Sequence, residues 1–361
     1  MRTNLLFLLP NPRKAATSLE ELILRHQIYV RKFIEMQTTT SEIPWVIIGD
    51  KLVEPPNLNA PELQVKFIGK SKMGFSLFTF NAVRIMKRSH FKPDLIVAGD
   101  SYFTALSAFI IRRIYVRDAQ IQLSLHGEVG ALTIGGIKPR IKYFLTKISV
   151  KHADIFRFVS RQQMDGFICE FNFGDKKLLV TPVPTSTRLA QSSVPVKRAI
   201  AFVGRIQQER GVSEWIEIVK LFHQEELMII GDGPLATSMK SVLSRATFTG
   251  LLTNQEVQKK WIDIGVLLST APYESYGLAM REALLNGVPV VSKENAGAIE
   301  LEQRYPNLIK LYRTKDQAQQ YLKGFLEKPL DKKEFDAFRK DFFAEQEESL
   351  IHLAKVWLNE V

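Results

Sequence analysis

Two carboxylates eight residues apart, Glu274 and Glu282, bracket a glycine in the run Pro272-Tyr273-Glu274-Ser275-Tyr276-Gly277-Leu278-Ala279-Met280-Arg281-Glu282-Ala283-Leu284. An apolar run over 266–269 and helical spacing over 277–286 predict a strand, a loop and a helix. The first amides of a helix have no partner within it and attract an anion such as a diphosphate. Gly277 and Leu278 would supply those amides. Glu274, in the loop, would accept hydrogen bonds from sugar hydroxyls, and Glu282, one or two turns along, would clamp a vicinal diol such as ribose. Either glutamate alone reads equally well as a solvated surface charge or a carboxylate favoured by the helix dipole. The combination specifies more.

Upstream, Phe202-Val203-Gly204-Arg205 and Arg210-Gly211 place two arginines around a glycine turn. Guanidinium groups pair bidentately with phosphate oxygens, and glycine lets a backbone come close. Ile229-Ile230-Gly231-Asp232-Gly233-Pro234 reads as a plain strand-to-helix turn, because Asp232 would repel phosphate. In the first half, Leu123-Ser124-Leu125-His126-Gly127-Glu128 ends a strand on one histidine, open to a packing role as well as a chemical one. Metal chemistry has no obvious home. No Asp-x-Asp occurs to hold a divalent cation on a diphosphate, and the six histidines are scattered. The single cysteine, Cys169, excludes a disulfide framework and a Cys-rich zinc site. Arginines and helix amides would have to stabilise a departing phosphate.

From Glu274 to Val291 the chain resembles the retaining glycosyltransferase family 4, with Glu274 and Glu282 matching its E-x7-E element. Gly204-Arg205 and Arg210-Gly211 resemble that family's Gly-Arg and Lys-Gly pair, and Gly231-Asp232-Gly233-Pro234 its strand-end turn. Phe158-Val159-Ser160-Arg161 resembles the strand and serine before the last helix of its first domain. The resemblance is clear over 199–300. It implies a GT-B architecture: two α/β, Rossmann-like domains facing across a cleft, with a C-terminal helix returning to the first. It implies Arg205 and Arg210 on the donor diphosphate, Glu274 on the transferred sugar and Glu282 on the ribose. Gly204, Ser275, Tyr276, Gly277 and Leu278 complete the implied donor site, and His126 would meet the donor sugar. The implied activity is retaining transfer of a hexose-type sugar from a nucleoside diphosphate sugar, without metal or cofactor. The acceptor would be a glycan or lipid-linked molecule of cell-surface polysaccharide or glycolipid synthesis. Other readings are a non-catalytic nucleotide- or glycan-binding protein of the same fold, and a nucleotide-sugar epimerase. The chain departs from the family in three places. Pro10-Asn11-Pro12-Arg13-Lys14 stands where paired glycines are usual, Arg210 replaces a lysine, and Val183-Pro184-Thr185-Ser186 replaces the usual linker.

The elements that must position these residues follow from alternating apolar runs and amphipathic stretches, the pattern of parallel α/β units. A length of 361 residues suits two domains better than one core. Strands are predicted at 5–9, 46–48, 65–68, 95–98, 121–125, 156–159 and 178–180, with helices near 17–36, 74–89, 102–116, 138–152 and 160–169. A segment over 181–197, with three prolines and six Ser or Thr, reads as the linker. The pattern restarts with strands at 199–203, 227–230, 246–249, 266–269 and 288–291, and the tail 331–358 has helical spacing. The expected domains are 1–190, 191–335 and a terminal helix, 336–361.

No apolar run reaches the roughly 18–20 residues that span a bilayer, and the apolar run 5–9 is too short for a secretory leader. The expected location is the cytoplasm. Residues 1–200 hold 29 Lys and Arg against 15 Asp and Glu, whereas 201–361 hold 20 against 23. Such asymmetry points to an anionic partner for the first half. Basic stretches at 75–88, 109–117 and 138–147 also carry apolar and aromatic residues, which suits peripheral docking on the inner face of a membrane. The same apolar residues equally suit packing against the sheet. No nucleic-acid module is recognisable, so no nucleic-acid partner is expected.

Overall fold

The computed structural model describes residues 3–9, 19–37, 42–49, 61–68, 75–133, 136–185, 199–223, 225–328 and 330–360. The proline run with Arg13 and Lys14, and most of the expected linker, lie outside them. The chain divides into two units, Met1–Thr185 with Gln346–Val361, and Ser186–Glu345.

In the first unit, β1 (Leu5–Leu9), β2 (Trp45–Ile48), β3 (Gln64–Phe67), β4 (Leu95–Ala98), β5 (Gln120–Ser124), β6 (Ile155–Phe158) and β7 (Lys177–Val180) form one sheet. Its order is β3-β2-β1-β4-β5-β6-β7, and every pairing is parallel. Strands buried on both faces need continuous apolar runs, and β1 supplies one, with all five residues buried. Alternate side chains divide between two cores. Leu6 and Leu8 pack with Phe78, Ala105, Ile111 and Phe167, while Leu5, Phe7 and Leu9 pack with Val30 and Phe33. The second core also takes Leu350, Leu353 and Trp357 from the long helix Lys332–Trp357, so the end of the chain does return to this unit. Trp357 satisfies its buried indole by donating to Gln122 Oε1 at 2.7 Å. That helix is continuous across the unit boundary after Glu345.

In the second unit, β8 (Ala199–Val203), β9 (Leu227–Ile230), β10 (Thr247–Gly250), β11 (Ile264–Ser269), β12 (Val290–Lys293) and β13 (Ile309–Tyr312) follow the order β10-β9-β8-β11-β12-β13. These pairings are parallel as well. Strand order reverses between β8 and β11, so the loops leaving their carboxyl ends run to opposite faces and open a crevice. Ligands of doubly wound sheets bind at such a point. The loops are the two that carry Gly204–Gly211 and Glu274–Gly277. Among the elements that periodicity did not predict are β13 and the helix Lys315–Glu327.

Candidate active site

Four glycines shape the first loop and its support. Gly204 takes φ +143°, a conformation that other residues rarely adopt, and its N–H donates to Ile230 O at 2.9 Å. A Cβ on Gly231 would lie 2.0 Å from the Gly204 carbonyl oxygen, and one on Gly233 2.4 Å from that of Ile206. Ile206 N–H donates to Asp232 O, and Leu235 N–H donates to Ile206 O, both at 3.0 Å. The turn at 231–234 is therefore a shelf under the Gly204-Arg205 loop. The Asp232 carboxylate accepts from the neighbouring Gly233 N–H at 2.8 Å.

A single 3-10 turn, Gln208–Arg210, then delivers Arg210 and stops at Gly211, where φ is +68°. A Cβ there would fall 2.1 Å from Thr270 O, so only glycine lets the two loops touch. The Thr270 hydroxyl, almost wholly buried, lies 2.9 Å from Arg210 O and 3.0 Å from Gly211 O. This stitching brings together residues 64 apart in the chain: Arg210 Nη1 donates to Glu274 Oε2 in an ion pair. Glu274 Oε1 also accepts from Gly277 N–H at 3.3 Å, and its carbonyl accepts from Gly297 N–H at 2.7 Å. The sequence thus nominated both partners of the pair. It passed over Thr270 and Gly297, which hold them.

Gly277 caps the helix Leu278–Leu285 with φ +72°, as the glycine there suggests. Ser275 and Tyr276 are buried beneath the loop. Arg281 was also passed over. Its guanidinium lies 3.8 Å from the Tyr276 ring centroid and its Nη2 donates to Glu300 at 3.0 Å, which fixes the loop from below. Asn295 adds a further tether, donating to Ala271 O at 2.9 Å. Glu282 is nearly buried, five residues beyond Gly277, or about 7 Å along the helix axis. Glu274, in the loop, and Glu282, in the helix that follows it, therefore stand at different depths. Leu278 is half-buried, and Arg205 is half-buried beside Gly204.

In the first unit, His126 follows β5 at the carboxyl edge of its sheet, with an exposed side chain. Gln163 clamps the turn from both sides. Its Nε2 donates to Leu125 O at 3.2 Å and Gly127 O at 2.8 Å, while its Oε1 accepts from Val159 N–H at 2.8 Å. Ser160 caps the helix Arg161–Glu170, accepting from Gln163 N–H at 3.1 Å. The two first-half motifs singled out in the sequence are thereby joined. Surrounding protein, then the positive charge of Arg157, lowers the His126 pKa from its ordinary value, which favours the neutral imidazole at neutral pH.

Among the described residues no three His, Cys, Asp or Glu side chains gather as a metal site. A shallow hollow at the amino ends of β5 to β7, lined by Lys151, Asp154 and Lys176, lies at the wrong edge of its sheet for a ligand. Its groups are already satisfied, with Arg112 on Asp154 at 2.7 Å and Lys176 on Lys151 O at 2.7 Å.

Residues 197–323 match the family model described as glycosyl transferases group 1. A GDP-mannose-dependent alpha-mannosyltransferase of Corynebacterium glutamicum is 30% identical over 122 residues, which is 33% of this chain and 29% of that protein. The 2-deoxystreptamine glucosyltransferase of Streptomyces kanamyceticus is 32% identical over 114 residues, 29% of either chain. The chain thus spans less than a third of the length of the curated relatives it matches. In fold, the sucrose-phosphate synthase of Thermosynechococcus elongatus superposes with a TM-score of 0.73 at 14% identity, covering 99% of this chain and 97% of that one. Anabaena HepE, solved with UDP-glucose, gives 0.71 at 14% identity, covering 99% of both chains. The two parallel-sheet, Rossmann-like units are accordingly those of the GT-B fold. Every loop of the second-unit site lies inside the matched segment, whereas His126 lies outside it.

Proposed function

We propose that the chain, whose residues 197–323 match the model for glycosyl transferases group 1, is a retaining glycosyltransferase that takes a hexose from a nucleoside diphosphate sugar. The observation that carries this reading is the stitched pair of loops at the strand-order reversal, which holds Arg210 against Glu274. Arg205, Arg210 and the first amides of the helix Leu278–Leu285 would cradle the diphosphate. Glu274, already positioned by Gly277 and Gly297, would accept hydrogen bonds from the sugar, and Glu282 from the ribose. His126 is the first unit's candidate for the sugar, as a neutral imidazole.

In the reaction the bond from the anomeric carbon to the β-phosphate oxygen breaks, and a bond from the acceptor oxygen to that carbon forms on the same face. The acceptor proton passes to the departing phosphate oxygen. The guanidinium groups stabilise the charge that grows on the phosphate, the role a divalent cation fills elsewhere. No Asp-x-Asp is present to hold such a cation, and metal independence is part of the proposal. We assign the acceptor to the glycan or lipid-linked class at a membrane surface, on the +14 charge of residues 1–200. Thermal denaturation with a panel of nucleoside diphosphate sugars, with and without EDTA, tests donor binding. One base should raise the Tm equally in both conditions. No shift with any member, or a shift abolished by EDTA, would count against the reading.

A further inference from the structure

The helices Phe75–Arg88, Phe103–Ile114 and Ile137–His152 lie on one face of the first sheet, the middle one packing on both neighbours. Together they contain ten Lys and Arg and no Asp or Glu. Each already buries one side in the core, through Phe78, Ala82 and Met86, through Ala105, Ala108 and Ile111, and through Val150. A helix so anchored should turn a polar side outward. Here the outward side is apolar as well. Ile137, Ile141 and Phe144 recur at helical spacing and are 76%, 53% and 62% exposed. Phe80 on the first helix is 63% exposed and Ile114 on the second 58%, with Leu77 and Ile110 nearby. The sequence left open whether such residues pack on the sheet. For Phe109 and Ile111 they do, and for these others they do not. Other exposed aliphatic residues, such as Leu221 and Leu251, are scattered singly, as on any soluble surface.

The cations frame this apolar surface. Lys138, Arg140, Lys142, Lys147 and Lys151 are exposed on the third helix, and Arg84, Lys87 and Arg88 on the first. Arg112 is taken by Asp154, and Glu170 accepts from Tyr143 of the third helix. Large aliphatic and aromatic side chains ringed by Lys and Arg match the boundary between acyl chains and anionic headgroups, with long basic stems reaching outward. A polyanion in water would be met by the charges and would gain nothing from the isoleucines. None of the described helices is long and apolar enough to cross a membrane.

We propose that this face is a docking surface for an anionic lipid bilayer, with Ile137, Ile141, Phe144 and Phe80 entering the acyl boundary and the surrounding cations meeting lipid phosphates. The proposal deepens the acceptor class assigned above. Donor binding by the second unit does not depend on it, and measuring that binding in the same samples keeps the two readings separable.

The test is sedimentation of the full chain with vesicles of phosphatidylcholine, with and without phosphatidylglycerol. The protein should pellet with anionic vesicles at low salt, stay in solution with neutral ones, and be released at roughly 1 M salt, where screening acts within about 3 Å. K142E/K147E should weaken binding by at least roughly 30-fold, the worth of two surface cations. Phe144→Ser should weaken it at unchanged salt dependence. Phe144→Trp, which keeps the bulk, should show an emission blue-shift only with anionic vesicles. Equal binding to neutral and anionic vesicles would overturn the proposal, as would binding unaffected by Phe144→Ser with no shift in Phe144→Trp. Displacement from vesicles by a soluble acidic polysaccharide at equal charge would also overturn it, in favour of a polymer partner.

Discussion

Replacing Arg210 with alanine is expected to lower turnover by about 10²–10³, the scale for removing one preorganised donor from a developing anion. Its backbone is fixed by Thr270 and by the left-handed turn at Gly211, so the guanidinium is aimed before any ligand arrives. The same side chain pairs with Glu274. Both partners keep solvent contact, with 35% and 21% of their side chains exposed, so loss of the pair should cost no more than about 1 kcal/mol of stability. A collapse in turnover with a nearly unchanged melting curve is the expected signature. Arg210→Lys keeps charge but loses the bidentate fork, and should fall between wild type and alanine. Unaltered turnover in Arg210→Ala, measured at saturating donor, would remove the arginine from the mechanism.

Glu274→Ala is expected to abolish transfer while leaving nucleoside diphosphate affinity intact or slightly raised, because it releases Arg210 from its ion pair. Glu282→Ala should do the reverse at the binding stage. It stands deeper on the helix and would lose charged hydrogen bonds to the ribose, about 1–3 kcal/mol in diphosphate affinity. Isothermal titration of the two variants with the same nucleoside diphosphate separates these roles. Equal losses of affinity in both would contradict the division between sugar and nucleotide.

Arg210 and Glu274, which the structure pairs, were both nominated from the sequence, because glycine turns and paired charges are local patterns. What holds them in place was not. Thr270 meets Arg210 and Gly211 across about 60 positions, and Gln163 clamps the His126 turn from 36 residues away. Only the strand order makes such neighbours. The turn at 231–234 was read as structural, and its glycines serve close backbone approach to the Gly204 loop.

Among the elements, fully buried strands such as β1 and β9 announced themselves as apolar runs. Strand β13 did not, because Ile309-Lys310-Leu311-Tyr312 is an edge strand with a lysine inside a short alternation. The helix after it, Lys315–Glu327, is rich in glutamine and lysine, yet Thr314 and Gln317 form a capping box that sequence inspection can find. The continuous helix Lys332–Trp357 likewise hid the boundary after Glu345 within an unbroken pattern. The basic character of the first half was plain from its charges. Which apolar side chains stay outside the core needed the structure, since Ile110 and Ile111 are adjacent and only one is buried.

The most direct test of the central claim is to follow, by proton NMR, the intact chain with its bound nucleoside diphosphate sugar and a membrane-derived acceptor in excess EDTA. The account predicts that nucleoside diphosphate is released at the full metal-supplemented rate. The new glycosidic bond should carry the anomeric configuration of the donor. An inverted product, or release only after magnesium or manganese is restored, would contradict it.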